Sequence, residues 1–273
     1  MKKILITGGS GFVGDKLIIA LLQQDSNNKI TVCDKEFPEL SCPVKYVICD
    51  ISEVDDFHKY DVIYHLAGVS SIADGFIDPL KTHQTNVVST IQILESIKNT
   101  NTVFVLASSC TVYNKFHSPY SLSKLVAEQY CHMYRNLHNT KTHCVRISNV
   151  YGEFAKKGVV SILLSQHMGK EPLTITGDGQ QKRDFIHVSD VCSGLIAVSQ
   201  SPLLDCDQVY DISTSKLTSI NEIAKILGKE KSIEYTPQRI GDDFNCPLMI
   251  NWPPNWRPTK NFNDYLKEFI SLG

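Results

Sequence analysis

The sequence has no long apolar run, no metal-spaced cysteines and no excess of basic residues, and each absence removes a class of function. No segment approaches the ~20 apolar residues of a membrane span. The apolar stretch after Met1-Lys2-Lys3 stops at a glycine cluster, too soon for a secretory leader. A formal net charge of −2 does not supply the basic surface that nucleic-acid phosphates require. The nine cysteines are odd in number and scattered, with no C-x-x-C and no Cys/His cluster at zinc spacing. They read as free thiols in a reducing compartment, with neither a disulfide framework nor a metal site. No internal repeat or low-complexity segment interrupts the chain. What remains is a soluble, cytoplasmic protein with a small-molecule partner, no nucleic acid and no membrane.

What is present is an ordinary globular composition: 273 residues, 42% hydrophobic and 21% charged, enough to bury a sizeable core. The first half alternates short β-branched runs with amphipathic stretches. Strands are expected at residues 4–7, 30–33, 46–48, 62–66, 103–107 and 143–147, and helices at 12–23, 79–98 and 119–137. That alternation is the pattern of βαβ units, so the fold class is α/β with a doubly wound parallel sheet. Ligands of such a sheet sit beyond the carboxyl ends of its strands. After Tyr151-Gly152 the rhythm changes, with a turn at Gly177-Asp178-Gly179, helices expected at 188–199 and 220–227, and a proline-rich C-terminal stretch. The expected organisation is a dinucleotide-binding domain over 1–150, with a returning segment near 185–215, and a smaller C-terminal substrate-binding lobe over 151–273.

Directly after the first strand comes Thr7-Gly8-Gly9-Ser10-Gly11-Phe12-Val13-Gly14, running straight into an apolar helix. Glycines here permit a tight turn, close approach of backbone N–H groups to a pyrophosphate and tight helix–strand packing, and the helix N-terminus adds its partial positive charge. The strand-to-helix setting makes this a Rossmann-type fingerprint, with Gly8, Gly11, Phe12, Val13 and Gly14 as cofactor contacts. Asp34 closes the second strand, twenty residues past Gly14. A carboxylate there accepts from both adenosine ribose hydroxyls and repels a 2′-phosphate, which selects NAD over NADP. Two observations pull the other way: an aspartate in a turn is often just solvated, and Lys35 is adjacent. Asp50 and Ile51, past the third strand, are placed to hold the adenine. Leu66, Ala67 and Gly68 end the fourth strand with small residues where a cofactor passes close to the chain, and His65 reads as a satisfied core histidine.

The catalytic chemistry is read from Ser118-Pro119-Tyr120-Ser121-Leu122-Ser123-Lys124. Ser118 caps a helix, Pro119 suits its first position, and Tyr120 and Lys124 fall one turn apart on one face. An ammonium near the phenol is expected to lower its pKa toward the working pH, making Tyr120 a general acid/base. Upstream, Ser109 leaves the end of the fifth strand, where its hydroxyl is placed to orient a sugar oxygen against Tyr120. Ser109, Tyr120 and Lys124 together suit removal of a proton from a carbinol whose hydride leaves for a nicotinamide.

These ordered motifs, with R-I-S-N-V-Y-G at Arg146–Gly152, G-D-G-Q-Q-K-R-D-F-I-H-V-S-D at Gly177–Asp190 and R-I-G-D at Arg239–Asp242, resemble the NAD-dependent epimerase/dehydratase family, the extended short-chain dehydrogenases that act on sugar nucleotides. The resemblance spans nearly the whole chain. It implies NAD as cofactor, Ser109, Tyr120 and Lys124 as the catalytic group, and Lys124 also on the nicotinamide ribose. It implies Asn86 beside the cofactor, Asn149 on the sugar-nucleotide phosphates, Arg183 and Arg239 clamping the pyrophosphate, and Asp242 on the nucleotide ribose. It also implies a homodimer through the 79–98 and 119–137 helices, whose apolar faces serve equally well as core.

Three departures from the family pattern narrow the reaction. Cys110-Thr111 stands where 4,6-dehydratases carry Asp-Glu, which argues against dehydration. Only six residues separate Tyr113 from Tyr120, shorter than in epimerases and similar to some reductases, and the C-terminal tail is compact. The expected activity is 4-epimerisation of a UDP-sugar through a 4-keto intermediate. Its rivals are NAD(P)H-dependent reduction of a 4-keto-6-deoxy sugar nucleotide and a non-catalytic NAD-binding regulator. Asp34 favours the first, the short loop favours the second, and the complete catalytic group argues against the third.

Overall fold

Every β-branched run of the first half becomes a strand. A computed structural model describes residues 1–38, 42–114, 118–202, 209–229, 232–239 and 246–272. In chain order the first half contains β1 (Lys3–Thr7), α1 (Phe12–Gln24), β2 (Lys29–Asp34), β3 (Lys45–Ile48), β4 (Val62–His65), α2 (Ile72–Ile77), α3 (Pro79–His83), α4 (Ser89–Ile97), β5 (Val103–Ser109), α5 (Pro119–His138) and β6 (Lys141–Ile147). The second half adds β7 (Asn149–Tyr151), α6 (Val159–Met168), β8 (Leu173–Thr176), β9 (Lys182–His187), α7 (Val188–Gln200), β10 (Val209–Ile212), β11 (Leu217–Ser219), α8 (Ile220–Ile226), β12 (Ile233–Thr236) and α9 (Phe262–Leu272).

Seven strands form the main sheet in the order β10-β6-β5-β4-β1-β2-β3, every pair parallel. The order reverses direction between β1 and β4, which is the switch point where a doubly wound sheet opens a crevice at its carboxyl edge. Alternate residues of each strand face opposite sides. Ile4, Ile6, Val32 and Tyr64 meet Leu17, Leu21, Val191 and Leu195 of α1 and α7. Leu5, Ile63 and Phe104 meet Ile93, Leu94, Ala127 and Cys131 of α4 and α5. Each such aliphatic side chain, fully buried, contributes about 1.5–3 kcal/mol. Both faces being covered explains why these strands read as continuous apolar runs rather than alternating ones.

The remaining elements build a lobe with its own core of Tyr151, Leu163, Leu173, Phe185, Ile223 and Leu266. Its sheets are β11-β9-β7 and the parallel pair β12-β8. Helix α8 starts on a reciprocal cap: Glu222 N donates to Ser219 Oγ (3.2 Å) and Ser219 N donates to Glu222 Oε2 (2.6 Å). Among the described residues no helix is long and apolar enough to cross a membrane.

The helix expected over 79–98 is found as one continuous helical run, in which a π-helical turn at Gln84–Val88 joins α3 to α4. Ser89 Oγ donates back to Thr85 O and Thr90 Oγ1 to Asn86 O. Such back-bonding competes with the regular ladder. The turn aims Asn86 inward. Helix α2, which the sequence reading did not anticipate, is capped by Ser71, whose Oγ accepts from Asp74 N at 3.2 Å.

Candidate active site

The glycine loop is held by contacts that only glycine allows. Gly8 has φ +70°, and a Cβ there would lie 2.5 Å from Ala67 N. A Cβ on Gly14 would lie 2.5 Å from the Gly9 Cα, so α1 seats directly on the loop. Gly11, the N-cap of α1, would meet only Gly8 O, at 3.2 Å, and so faces the open side where a pyrophosphate would lie against the helix N-terminus. Phe12 and Val13 are half-buried in the first turn of α1. These residues fit a dinucleotide.

Asp34, at the carboxyl end of β2, does more than the sequence suggested. Its Oδ2 accepts from Ser10 N (2.9 Å) and its Oδ1 from Lys35 N (2.7 Å), so the carboxylate ties the glycine loop to the second strand. Oδ1 also accepts from Glu36 N at 3.4 Å, so Oδ2 is the oxygen that keeps a further lone pair for a ribose hydroxyl. Lys35 is turned away, its Nζ 2.5 Å from Asp50 Oδ2, and so is neutralised by a carboxylate instead of standing ready for a 2′-phosphate. That contact, with hydrogen bonds from Ser52, holds Asp50 down to about 2. Ile51 follows in a short 3-10 turn capped by Asp50.

At the switch point the elements converge. His65 is buried, its Nδ1 2.7 Å from Thr7 Oγ1 and its Nε2 3.3 Å from Ser89 Oγ. Burial, with the Lys124 charge behind it, pulls His65 down to about 3 and keeps it neutral, so it is a satisfied core histidine. Leu66 N donates to Thr7 O and Ala67 N to Thr7 Oγ1. Asn86 is buried and accepts from Val69 N at 2.9 Å while donating to Ser123 Oγ at 2.9 Å. A Cβ on Gly68 would sit 2.7 Å from Asn86 Oδ1 and 3.3 Å from Lys124 Nζ, so Gly68, Asn86 and Lys124 meet at one point.

Helix α5 begins as read: Ser118 Oγ accepts from Ser121 N at 3.0 Å, with Pro119 in the first turn. Lys124 Nζ donates to Ala107 O at 2.8 Å, and burial brings Lys124 down to about 8 while Glu128 opposes that fall. Ser109 Oγ accepts from Thr111 N and Thr111 Oγ1 and lies near enough to the Tyr120 phenol to favour its ionised form. The expected direction for Tyr120 is corrected here. Its phenol is not lowered but pushed up to about 12, because burial outweighs the influence of Ser109 and nearby Cys110 adds to the rise. The cover comes partly from α2, where a Cβ on Gly75 would lie 3.0 Å from Tyr120 N.

Cys110 does not replace the missing acid/base pair. It is buried in an apolar cluster with Cys246 and Met249, and the neighbouring Cys246 thiol and burial hold its own thiol well above its ordinary range. Arg183, on β9, is close enough for its charge to act on both thiols. Asn149 opens β7 beside Phe185 of β9, and its Oδ1 is a buried acceptor without a partner. Among the described contacts none joins Arg239 to this group; it is exposed in the segment after β12. Asp242 and the centre of the short loop, residues 115–117, lie outside the described residues.

A buried charged network that no sequence motif announced lies beneath the site. Ser108 Oγ donates to Glu128 Oε1 (2.5 Å), and Arg146 donates from Nε to Oε1 (3.0 Å) and from Nη2 to Oε2 (2.7 Å). Arg146 also lies 4.6 Å over the Tyr113 ring, and Tyr113 OH donates to Asp211 Oδ1 at 2.8 Å. The available signal was spacing: Glu128 falls one turn beyond Lys124, on the face that already carries Tyr120.

Residues 4–213 match the NAD dependent epimerase/dehydratase family. An uncharacterized UDP-glucose epimerase of Bacillus subtilis is 28% identical, covering 89% of this chain and 88% of its own. UDP-glucuronic acid decarboxylase 4 of Arabidopsis thaliana is 31% identical over 92% of this chain and 65% of its own. The crystal structure of UDP-glucuronic acid 4-epimerase from Bacillus cereus, in complex with UDP-glucuronic acid and NAD, superposes with a TM-score of 0.80 at 26% identity and covers 99% of both chains.

Proposed function

The chain belongs to the NAD-dependent epimerase/dehydratase family, and from that membership we propose that it interconverts the C4 epimers of a UDP-sugar through a 4-keto intermediate. The observation that carries this reading is the meeting of Ser109, Tyr120 and Lys124 with Gly68 and Asn86 at the carboxyl ends of β4 and β5. Bound NAD supplies the acceptor for a hydride at C4 and returns it. Tyr120 takes the proton from the C4 hydroxyl and gives it back. Ser109 orients that oxygen, and Lys124 holds the nicotinamide ribose and favours the phenolate. The adenosine end is gripped by Asp34, Asp50 and Ile51, and the pyrophosphate of the sugar nucleotide by Arg183, Arg239 and Asn149, with Asp242 on the nucleotide ribose. A guanidinium suits that task because it offers bidentate donors to phosphate oxygens.

The division into a dinucleotide-binding domain of 1–150 with a returning segment, and a sugar-nucleotide lobe, is part of the same reading. It is supported by β10 joining β6 in the main sheet and α7 covering the face shared with α1. Cytosolic location is supported by the free state of the described cysteines. Pairing of two copies is supported by Leu80, Leu122, Met133 and Leu137, all exposed along α3 and α5; a monomeric mass in light scattering would remove it.

The experiment is the fate of the cofactor. Protein purified with NAD attached should interconvert C4 epimers of at least one UDP-sugar without net NADH. Stoichiometric NAD(P)H consumption with a 4-keto-6-deoxy sugar nucleotide would move the assignment to the reductase, and release of carbon dioxide from UDP-glucuronic acid to a decarboxylase. Cofactor choice is tested separately. Asp34→Ala should weaken NAD binding and narrow its advantage over NADP, because it removes both the ribose acceptor and the tie to Ser10 N. Equal affinity of the wild-type protein for NAD and NADP in a calorimetric titration would contradict this role.

A further inference from the structure

Resting on the reading of Tyr120 and Lys124 as the proton-transfer pair, we propose that Glu128 is a positioning residue for the reaction. Its buried carboxylate fixes the strand that carries Ser109 to the helix that carries Tyr120, and it holds Lys124 as an ammonium.

Ser108 on β5 and Arg146 on β6 are partners on one rung of the sheet, and Glu128 accepts from both. One side chain of α5 therefore bonds two neighbouring strands at the level where β5 delivers its next residue, Ser109. Tyr120, Lys124 and Glu128 are successive turns of the same helix face. A slip of α5 along the sheet would separate Ser109 from Tyr120, and the Glu128 contacts oppose that slip. Arg146 extends the tie through Tyr113 and Asp211, whose Oδ2 accepts from Asn251 N at 3.0 Å, to the C-terminal segment.

Burying an ion pair of this kind does not in itself stabilise a fold, since apolar replacements often do as well. Its use here lies in what faces it. Lys124 is met by neutral His65 from β4, by the Ala107 carbonyl from β5, and by the charge of Glu128 from its own helix. Glu128 is met by Arg146 and Cys144 from β6 and Ser108 from β5, and the Cys144 thiol is kept protonated by Cys131 and burial. Glu128 is thus the carboxylate whose charge favours the Lys124 ammonium. Without it, the Arg146 cation would remain uncompensated nearby and disfavour that ammonium.

Glu128→Gln keeps the shape and an acceptor for Ser108 while removing the charge. In protein labelled with ¹³C at the lysine ε-carbon, with Lys124→Met as the assignment control, the titration midpoint of Lys124 should fall by about one pH unit or more in this variant. The alkaline limb of kcat should move down with it while KM changes little. Glu128→Asp, which keeps the charge, should restore most of the midpoint. An unmoved Lys124 midpoint in Glu128→Gln overturns the proposal. If that variant does not fold, Arg146→Gln serves: freeing the carboxylate from its guanidinium should raise the midpoint, and an unchanged or lower value overturns the proposal. The NMR titration needs no turnover, so failure to find an epimerisable sugar leaves it decisive. Epimerase activity with an unmoved midpoint would sink the role of Glu128 alone.

Discussion

Tyr120→Phe is expected to lower turnover by at least ~100-fold, the scale of a lost general acid/base, while folding and NAD affinity stay nearly intact. That loss corresponds to about 2.7 kcal/mol of transition-state stabilisation. The phenylalanine ring keeps the buried packing of the tyrosine, and the fold loses only the polar contact of the phenol near Ser109. A phenol held up near 12 by burial is protonated throughout the neutral range. In that state it is the correct partner for returning a proton to O4, and it depends on Lys124 and the bound nicotinamide to act as the base. Ser109→Ala should cost less, since it removes an orienting hydrogen bond and leaves the proton-transfer group in place. Turnover of Tyr120→Phe within a few-fold of wild type would reject Tyr120 as the base.

The parts of this site that were legible in the sequence are those set by local chemistry. Gly8, Gly11 and Gly14 stand between a strand and a helix, and the left-handed φ of Gly8 and the close approach of Gly14 to Gly9 account for their identity. Ser118 and Pro119 mark a helix start, and the start is found there. What escaped the sequence depends on distance along the chain. The pairing of Ser108 with Arg146 is a fact of sheet register, so the network that Glu128 completes could not be read from α5 alone. The rise of Tyr120 follows from burial under α2, a helix with too few residues to show a periodic pattern. The π-helical turn at Gln84–Val88 was hidden for the opposite reason: the apolar pattern of 79–98 continues across it, and hydroxyl back-bonds accompany the local change in the ladder.

Lys124→Met is expected to lose activity by at least ~100-fold and, at the same time, to make the protein more stable near neutral pH. Burial pulls Lys124 down to about 8, whereas in the unfolded chain it keeps its proton to about 10.4. Between those values the unfolded chain binds more protons, so the contribution of Lys124 to stability rises as pH rises through that window. Below it the folded state carries the whole cost of a buried charge, on the order of 3 kcal/mol. Methionine fills similar space without charge and forfeits the hydrogen bond to Ala107 O, which offsets about 1 kcal/mol of the gain. The balance, about 2 kcal/mol, corresponds to a rise in Tm of roughly 4–8 °C. Thermal unfolding of both proteins at about pH 7 and about pH 9.5 checks the sign, because the advantage of the variant must shrink as the wild-type lysine deprotonates. A variant less stable than wild type at neutral pH, or an advantage independent of pH, would mean that Lys124 is not held as a strained ammonium. A stable but inactive variant would instead place the cost of that ammonium with catalysis, the usual exchange of stability for activity at a working site.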